Sequence, residues 1–304
     1  MPEPSRPLGR GPAVAAVLLS AALFGTTGTV LVNAPASADA YSVGSLRLLV
    51  GGATLLVVAA RTRHTLWGPW RLRSTIVGAF GVAVFQLCYF LAVDRTGVAV
   101  GTVATIGSGP VLGGLLASAL ARRAPTPAWL LGTGVSVGGV ALLGLAGRSN
   151  AADPIGIVLA VCAGLGWAVF ATVGKHQIDA GQDSTASMAA MFAGGALLLA
   201  PLLLTHSPGW VADGNGWWIS LYLGVVTVGG AYTLYGFALR HLHAPTVITL
   251  TLLEPITAAV LGAVVVHEGV RAAGWVGVAL VLVGLVITAR DASGALEPTA
   301  TVAT

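Results

Sequence analysis

The sequence predicts an all-α membrane protein of ten transmembrane helices, arranged as two inverted five-helix repeats. Three observations support that class. Hydrophobic residues fill 56% of 304 positions and charged residues only 9%. A soluble domain carries roughly 25% charged residues, so this chain cannot cover a water-facing surface. Second, the apolar stretches run for about 20 residues, the length a helix needs to cross a ~30 Å hydrocarbon core. A membrane β-barrel would instead alternate apolar and polar positions over segments of about 10 residues, and that alternation is absent. Third, the pattern occurs twice. Residues 95–144 lie over 240–289 at a shift of 145, placing Arg95 on Arg240, Ala99 on Ala244, Pro110 on Pro255 and Gly132 on Gly277. Upstream, a shift of 143 places Phe24 on Trp167, Thr29 on Thr172, and Gly51-Gly52-Ala53 on Gly194-Gly195-Ala196. Five spans per copy is an odd number, so the second copy enters the membrane from the opposite side. Such inverted repeats build one central site reachable from either face.

The elements follow in order, with basic residues at many of their ends. The first span, 12–32, follows Arg6 and Arg10. The second, 42–60, ends at Arg61 and Arg63, and Arg71 and Arg73 precede the third, 74–93. Arg95 separates the third from the fourth, 97–120, and Arg122 and Arg123 separate the fourth from the fifth, 127–147. The repeats, 12–147 and 154–290, meet near 148–153. In the second copy the spans fall at 154–174, 185–205, 217–239, 244–266 and 272–289. Loops are very short, and no stretch is long enough for a soluble domain. The first ten or so residues and the tail after Arg290 are rich in small, polar or Pro residues and are expected to be disordered.

Orientation follows from the basic residues. With the N-terminus inside, Arg6, Arg10, Arg61, Arg63, Arg71, Arg73, Arg122, Arg123, Lys175, Arg240 and Arg290 are cytoplasmic, against Arg95, Arg148 and Arg271 outside. Positive charge concentrates on the cytoplasmic side, so both termini are expected inside. The net charge of +4 reflects this bias. The basic residues are scattered over many loops rather than clustered, so no nucleic acid is expected as a partner. Arg6, Arg10, the apolar run from Ala13 and the sequence Ala36-Ser-Ala38 resemble a cleavable secretory signal. That run, however, extends to Val32 and has a counterpart in the second copy, so it is expected to remain as the first span. Cys88 and Cys162 both fall inside spans and are expected to pack in the core rather than bind metal or form a disulfide.

Chemistry at membrane depth must come from the few polar groups there. Glu254 lies near the middle of the ninth span, in Leu252-Leu-Glu-Pro-Ile256, with no basic residue within ten positions. It is a candidate to bind a substrate ammonium or carry a proton. The competing role is helix–helix hydrogen bonding. Arg47 lies two turns into the second span, at a depth of only ~8 Å. Snorkelling or structural pairing is the readier explanation there, with a hold on a substrate carboxylate as the alternative. Its repeat counterpart is Ala190, so any role is asymmetric. Pro110 and Pro255 occupy matching places among small or hydroxyl residues and are candidate helix breaks for gating. Phe24 and Trp167 match across the repeat, and Gln86, Tyr89, Tyr232 and Tyr235 lie in spans three and eight. Trp70, Trp129, Trp210, Trp217 and Trp218 fall near span ends and are expected to be interfacial anchors.

Ten spans in two copies, Trp167-Ala168, Arg47 early in the second span, and Leu253-Glu-Pro-Ile-Thr-Ala-Ala-Val-Leu-Gly-Ala-Val-Val-Val-His-Glu268 together resemble the drug/metabolite transporter superfamily in its EamA-type branch. The resemblance covers residues 12–290. The first copy departs from it, with Arg123 where the second has the closing Glu268. What the resemblance implies is a basket of helices around a cavity formed mainly by spans one, three, four, six, eight and nine. Carried onto this chain, it points to Phe24, Gln86, Tyr89, Ser108, Trp167, Tyr232, Tyr235, Thr251 and Glu254 as substrate-binding residues.

The expected function is export of small metabolites, most readily amino acids or related compounds, across the cell membrane by alternating access. The expected partners are the small-molecule substrate and the lipid bilayer. Protons as coupling ion, and a homodimer, stay open. No cofactor and no metal are expected. A sugar-phosphate or nucleotide-sugar carrier or a multidrug exporter is the alternative within transport, the first wanting several cavity cations where only Arg47 is available. A membrane sensor or scaffold is the alternative outside transport. No enzyme is expected: there is no G-x-x-x-x-G-K-[ST], His267-Glu268 lacks the second histidine of H-E-x-x-H, and Ile106 stands where the G-x-S-G pattern before Gly109 needs glycine.

Overall fold

The computed structural model describes residues 10–61, 67–70, 73–122, 124–145, 153–265 and 272–294. Among them there is no strand. The principal helices are α1 (Arg10–Leu31), α2 (Ala40–Arg61), α3 (Arg73–Thr96), α4 (Val98–Ala121), α5 (Pro127–Leu145), α6 (Pro154–Asp179), α7 (Ser184–Leu199), α8 (Gly216–His241), α9 (Ala244–Val264) and α10 (Ala272–Gly294). Eight are long and apolar enough to cross a membrane, α7 when counted through Thr205, whereas the apolar parts of α5 and α10 are shorter, at Pro127–Leu142 and Ala272–Thr288.

Local chemistry sets the helix ends. Asp153 and Asp183 cap α6 and α7 by accepting from Ile155 N and Ala186 N, which satisfies donors the first turn leaves open. The α3–α4 corner turns on Gly97, whose φ of 81° only glycine adopts without strain. Asp39 accepts from the backbone N–H groups of Tyr41 and Ser42 and from Ser42 Oγ at 2.6 Å. Burial would push its carboxyl up, but these bonds and nearby His206 leave it below its ordinary value. His206 also stacks on Tyr41 at 4.3 Å. The connection after α7 is thereby tied to the start of α2.

Helix contacts cross between the two halves. α3 and α4 pack on α6, α1 packs on α8 and α9, α2 packs on α7, and α5 packs on α10. Lipid supplies no hydrophobic drive for helix association, so close approach relies on small residues. A Cβ on Gly81 would stand 2.9 Å from the Gly166 carbonyl, and one on Gly166 would stand 2.7 Å from that of Gly81. On the α5–α10 seam, Gly139 meets the Gly277 carbonyl while Gly132 meets that of Gly284. A shift of 145 residues in the sequence places Gly132 on Gly277 and Gly139 on Gly284, and the four meet crosswise.

Two expectations are corrected here. Trp129 and Trp210 are buried rather than interfacial. Trp129 fills the gap left by Gly114, and Trp210 Nε1 donates to Ser42 Oγ at 3.1 Å. Position near a span end places a residue along the helix, not around it. The two prolines also differ. Pro110 sits inside the continuous helix α4, while α9 is interrupted into Ala244–Leu250 and Leu253–Val264 just before Pro255. One lost hydrogen bond is absorbed within a long helix, as at Pro110. At Pro255 the break is held open, because Glu254 N takes the Thr251 carbonyl at 2.9 Å and Thr251 Oγ1 donates back to the Ile248 carbonyl. Arg123, the junction at 146–152, His267 and Glu268 lie outside the described residues.

Candidate functional site

A narrow cavity lies where both halves converge; the space in and around it, about 430 Å3, includes open solvent. Its walls come from α1 (Phe24, Thr27), α2 (Arg47), α3 (Phe85, Tyr89), α4 (Thr105, Ile106), α6 (Trp167), α8 (Tyr232) and α9 (Glu254). Two glycines bring those walls together. A Cβ on Gly25 would stand 2.6 Å from the Glu254 carbonyl, so α1 rests directly on the α9 break. A Cβ on Gly109 would stand 2.6 Å from the Trp167 ring, which therefore packs directly against α4.

Arg47 is 6% exposed. Its Nε donates to Thr227 Oγ1 at 3.2 Å, and that hydroxyl donates on to the Leu223 carbonyl at 2.6 Å. Thr227 belongs to a widened π-helical stretch of α8, Tyr222–Gly230, a form of helix frequent at functional sites. Val50 and Thr54 of α2 sit over Gly224 and Gly229 of that stretch, and Val228 sits over Gly51. This interlock fixes the rotation of α2 that turns Arg47 inward. The guanidinium carbon also lies 5.9 Å from the Phe90 ring centroid. Among the described residues no carboxylate pairs with Arg47, and its two terminal amino groups have no protein partner.

Glu254 stands in the first turn of the second half of α9, where the helix N-terminus favours negative charge. Its side chain is partly exposed, into the cavity, and accepts no hydrogen bond from the described residues. A cation and a carboxylate therefore share one cavity, acting on each other through space but not in contact. Charges that are buried or at membrane depth are normally paired. The pairing capacity left over is what a ligand of complementary charges would use.

Aromatic rings form the remaining wall. Tyr232 packs 4.8 Å from Phe24 and 4.1 Å from Phe192, and Phe85 lies 6.2 Å from Trp167 and 6.1 Å from Tyr89. Trp167 Nε1 donates to Tyr235 Oη at 3.2 Å, and Tyr89 Oη bonds with Thr102 Oγ1 at 3.2 Å. The polar atoms of Trp167 and Tyr89 are satisfied by the protein, so these two rings offer faces rather than hydrogen bonds.

Of the residues expected at the site, the structure brings Phe24, Tyr89, Trp167, Tyr232 and Glu254 together around the cavity. Gln86, Ser108, Tyr235 and Thr251 lie off its lining. Gln86 Nε2 donates to the Gly44 carbonyl and Ser108 Oγ to that of Thr105. Tyr235 is fully buried behind Trp167, and Thr251 bonds its own helix. Thr27, Arg47, Phe85, Thr105 and Ile106 also line the cavity. Arg47 carried a signal in the sequence as a charge inside a span, and Thr105 as one of the hydroxyl residues near Pro110.

The EamA-like transporter family matches this chain twice, at residues 11–145 and 154–290. An uncharacterized transporter of Bacillus subtilis, YwfM, is 34% identical over 271 residues, covering 89% of this chain and 91% of its own. An uncharacterized protein of Pseudomonas aeruginosa is 30% identical over 234 residues, covering 76% of this chain and 77% of its own. A solved crystal structure superposes with a TM-score of 0.78 at 18% identity, covering 92% of this chain and 98% of that one, a likeness of fold. The chain belongs to the EamA-like transporter family, part of the drug/metabolite transporter superfamily, and is a multi-pass membrane transporter.

Proposed function

We propose that this transporter exports small zwitterionic metabolites, amino acids or close relatives, across the cell membrane by alternating access. The observation that carries this reading is the pair of unpartnered opposite charges, Arg47 and Glu254, in one aromatic-walled cavity. A zwitterion presents a carboxylate to Arg47 and an ammonium to Glu254, and satisfies both at once. A sugar phosphate carries concentrated negative charge. It would meet a single guanidinium and be repelled by Glu254.

The reading includes ten spans in two inverted halves, with both termini inside. Reciprocal packing across the halves supports it: α1 on α8 mirrors α6 on α3, and the α5–α10 glycine pairs repeat under exchange of halves. Coupling to proton entry through Glu254 completes the proposal.

Counterflow tests it. Purified protein in vesicles preloaded with an amino-acid mixture should accelerate entry of a labelled amino acid over protein-free vesicles. Absence of acceleration for every amino acid, with sugar phosphates accelerated instead, would reverse the assignment. The broken helix adds a further expectation. Pro255→Ala restores an N–H to the α9 ladder and should slow initial counterflow by about tenfold, through bias toward one conformer. Flux at the parental rate would make the break a packing feature only.

A further inference from the structure

We infer that the turn Pro208–Ala212 is the lid of an external gate, which closes the cavity by seating Trp210 over an apolar layer built from both halves. The inference goes beyond the zwitterion reading and uses only the orientation and the alternating access proposed with it.

The layer lies one helical turn outward of the cavity. Arg47 and Tyr89 line the cavity, and Thr227 holds Arg47. One turn toward the outer end from Arg47 and Thr227 come Val43 and Leu223, and Phe90 follows Tyr89. These three side chains are buried in one cluster with Trp210 and with Ile219, a further turn out on α8. Phe90 is seated on α2: a Cβ on Gly44 would stand 3.1 Å from its ring. From Thr227 to Ile219 is two turns, about 11 Å. An apolar constriction bars a charged solute until it opens. Val43 and Phe90 belong to the first half, Leu223, Ile219 and Trp210 to the second, so the layer parts when the halves separate at this end.

Polar contacts fasten the lid to the α1–α2 corner. Trp210 Nε1 donates to Ser42 Oγ at 3.1 Å, and Ser42 Oγ donates to Asp39 Oδ2 at 2.6 Å. The other carboxylate oxygen of Asp39 stands 3.3 Å from His206 Nδ1, and Ser37 Oγ donates to Asp213 Oδ2 at 3.0 Å. The last two contacts are exposed to solvent, where such pairs add little to stability, so the fastening can release and re-form. The opposite face carries a counterpart. A shift of 143 residues places Asp39 on Gln182 and Trp67 on Trp210. There a Cβ on Gly68, in the short helix Trp67–Trp70, would meet Gln182 Oε1. Each end of the cavity is thus crossed by the same corner-and-turn contact, as two alternating gates of an inverted repeat require.

The test reads access to the cavity from outside and needs no substrate, so its outcome is separate from that of the zwitterion reading. Full-length protein carrying Cys88→Ala, Cys162→Ala and Phe85→Cys presents one thiol in the cavity wall. Intact cells are treated with a membrane-impermeant methanethiosulfonate, and this parent should label slowly. Adding Ser42→Ala should speed labelling severalfold, and adding Trp210→Ala roughly tenfold or more, by raising the population of the open gate. Trp129→Ala removes a buried tryptophan on α5, away from the lid, and should leave the rate unchanged. Size-exclusion profiles confirm that each variant compared is folded, and Ser42→Ala decides alone if Trp210→Ala does not fold. Rates unchanged in the lid variants, or fast labelling of the parent, would overturn the inference, because the lid would then block nothing. A rate raised equally by Trp129→Ala would overturn it too, by showing that any loss of packing opens the cavity. Ser37→Cys in the same cysteine-free protein fixes the side. It should label on intact cells, and labelling in inverted vesicles alone would place the lid on the cytoplasmic face and end the external assignment.

Discussion

Arg47→Met should weaken substrate binding by roughly tenfold to a hundredfold, the loss of about 1.5–3 kcal/mol that a hydrogen bond to a charged group contributes. The same change should leave the melting temperature unchanged or raise it. Arg47 is buried with one neutral hydrogen bond, from Nε to Thr227, and among the described residues no carboxylate in contact, Glu254 acting on it only across the cavity. A buried charge with no counter-ion in contact costs desolvation that an apolar side chain of similar length avoids. Thr227 loses little, because it still donates to the Leu223 carbonyl. Binding and stability are thus expected to move independently. Titration of the purified variant beside its thermal melt reads both. A lowered melting temperature with unchanged binding would make Arg47 a structural strut between α2 and α8.

Glu254→Gln should abolish accumulation driven by a proton gradient and reduce counterflow by roughly tenfold to a hundredfold. Glutamine keeps the shape of the carboxyl but neither releases a proton nor carries the charge that attracts an ammonium. Glu254 sits beside the α9 break and accepts no hydrogen bond from the described protein, so its carboxylate is free for both tasks. The pH dependence of flux should flatten in the variant, since among the described residues no other acidic side chain lines the cavity. Full pH-dependent accumulation by the variant would reduce Glu254 to a packing group.

Much of this arrangement is legible in the chain. Apolar runs bounded by basic residues locate the helices to within a few residues, because the bilayer imposes both length and composition. Site residues are less legible for a physical reason. A helix that is apolar all round has no polar face to announce its rotation, so Thr27 looks like any other threonine in a span. Arg47 was conspicuous, but its depth favoured snorkelling. Only the interlock of Val50 and Thr54 with Gly224 and Gly229 shows that α2 turns it inward. Trp129 and Trp210 illustrate the same ambiguity in reverse, being near span ends yet buried by Gly114 and Ser42. The break at Pro255 and the continuity at Pro110 differ through their surroundings, not through the proline itself.

The most direct test of the zwitterion reading removes one substrate charge at a time. Competition against counterflow of a transported amino acid is measured for the unlabelled amino acid, its methyl ester and its N-acetyl derivative. The ester lacks the carboxylate meant for Arg47, and the N-acetyl compound lacks the ammonium meant for Glu254. Both should compete at least tenfold more weakly than the parent amino acid. Equal competition by the ester would contradict the assignment, by showing that the cavity recognises a cation alone and that Arg47 takes no part in binding.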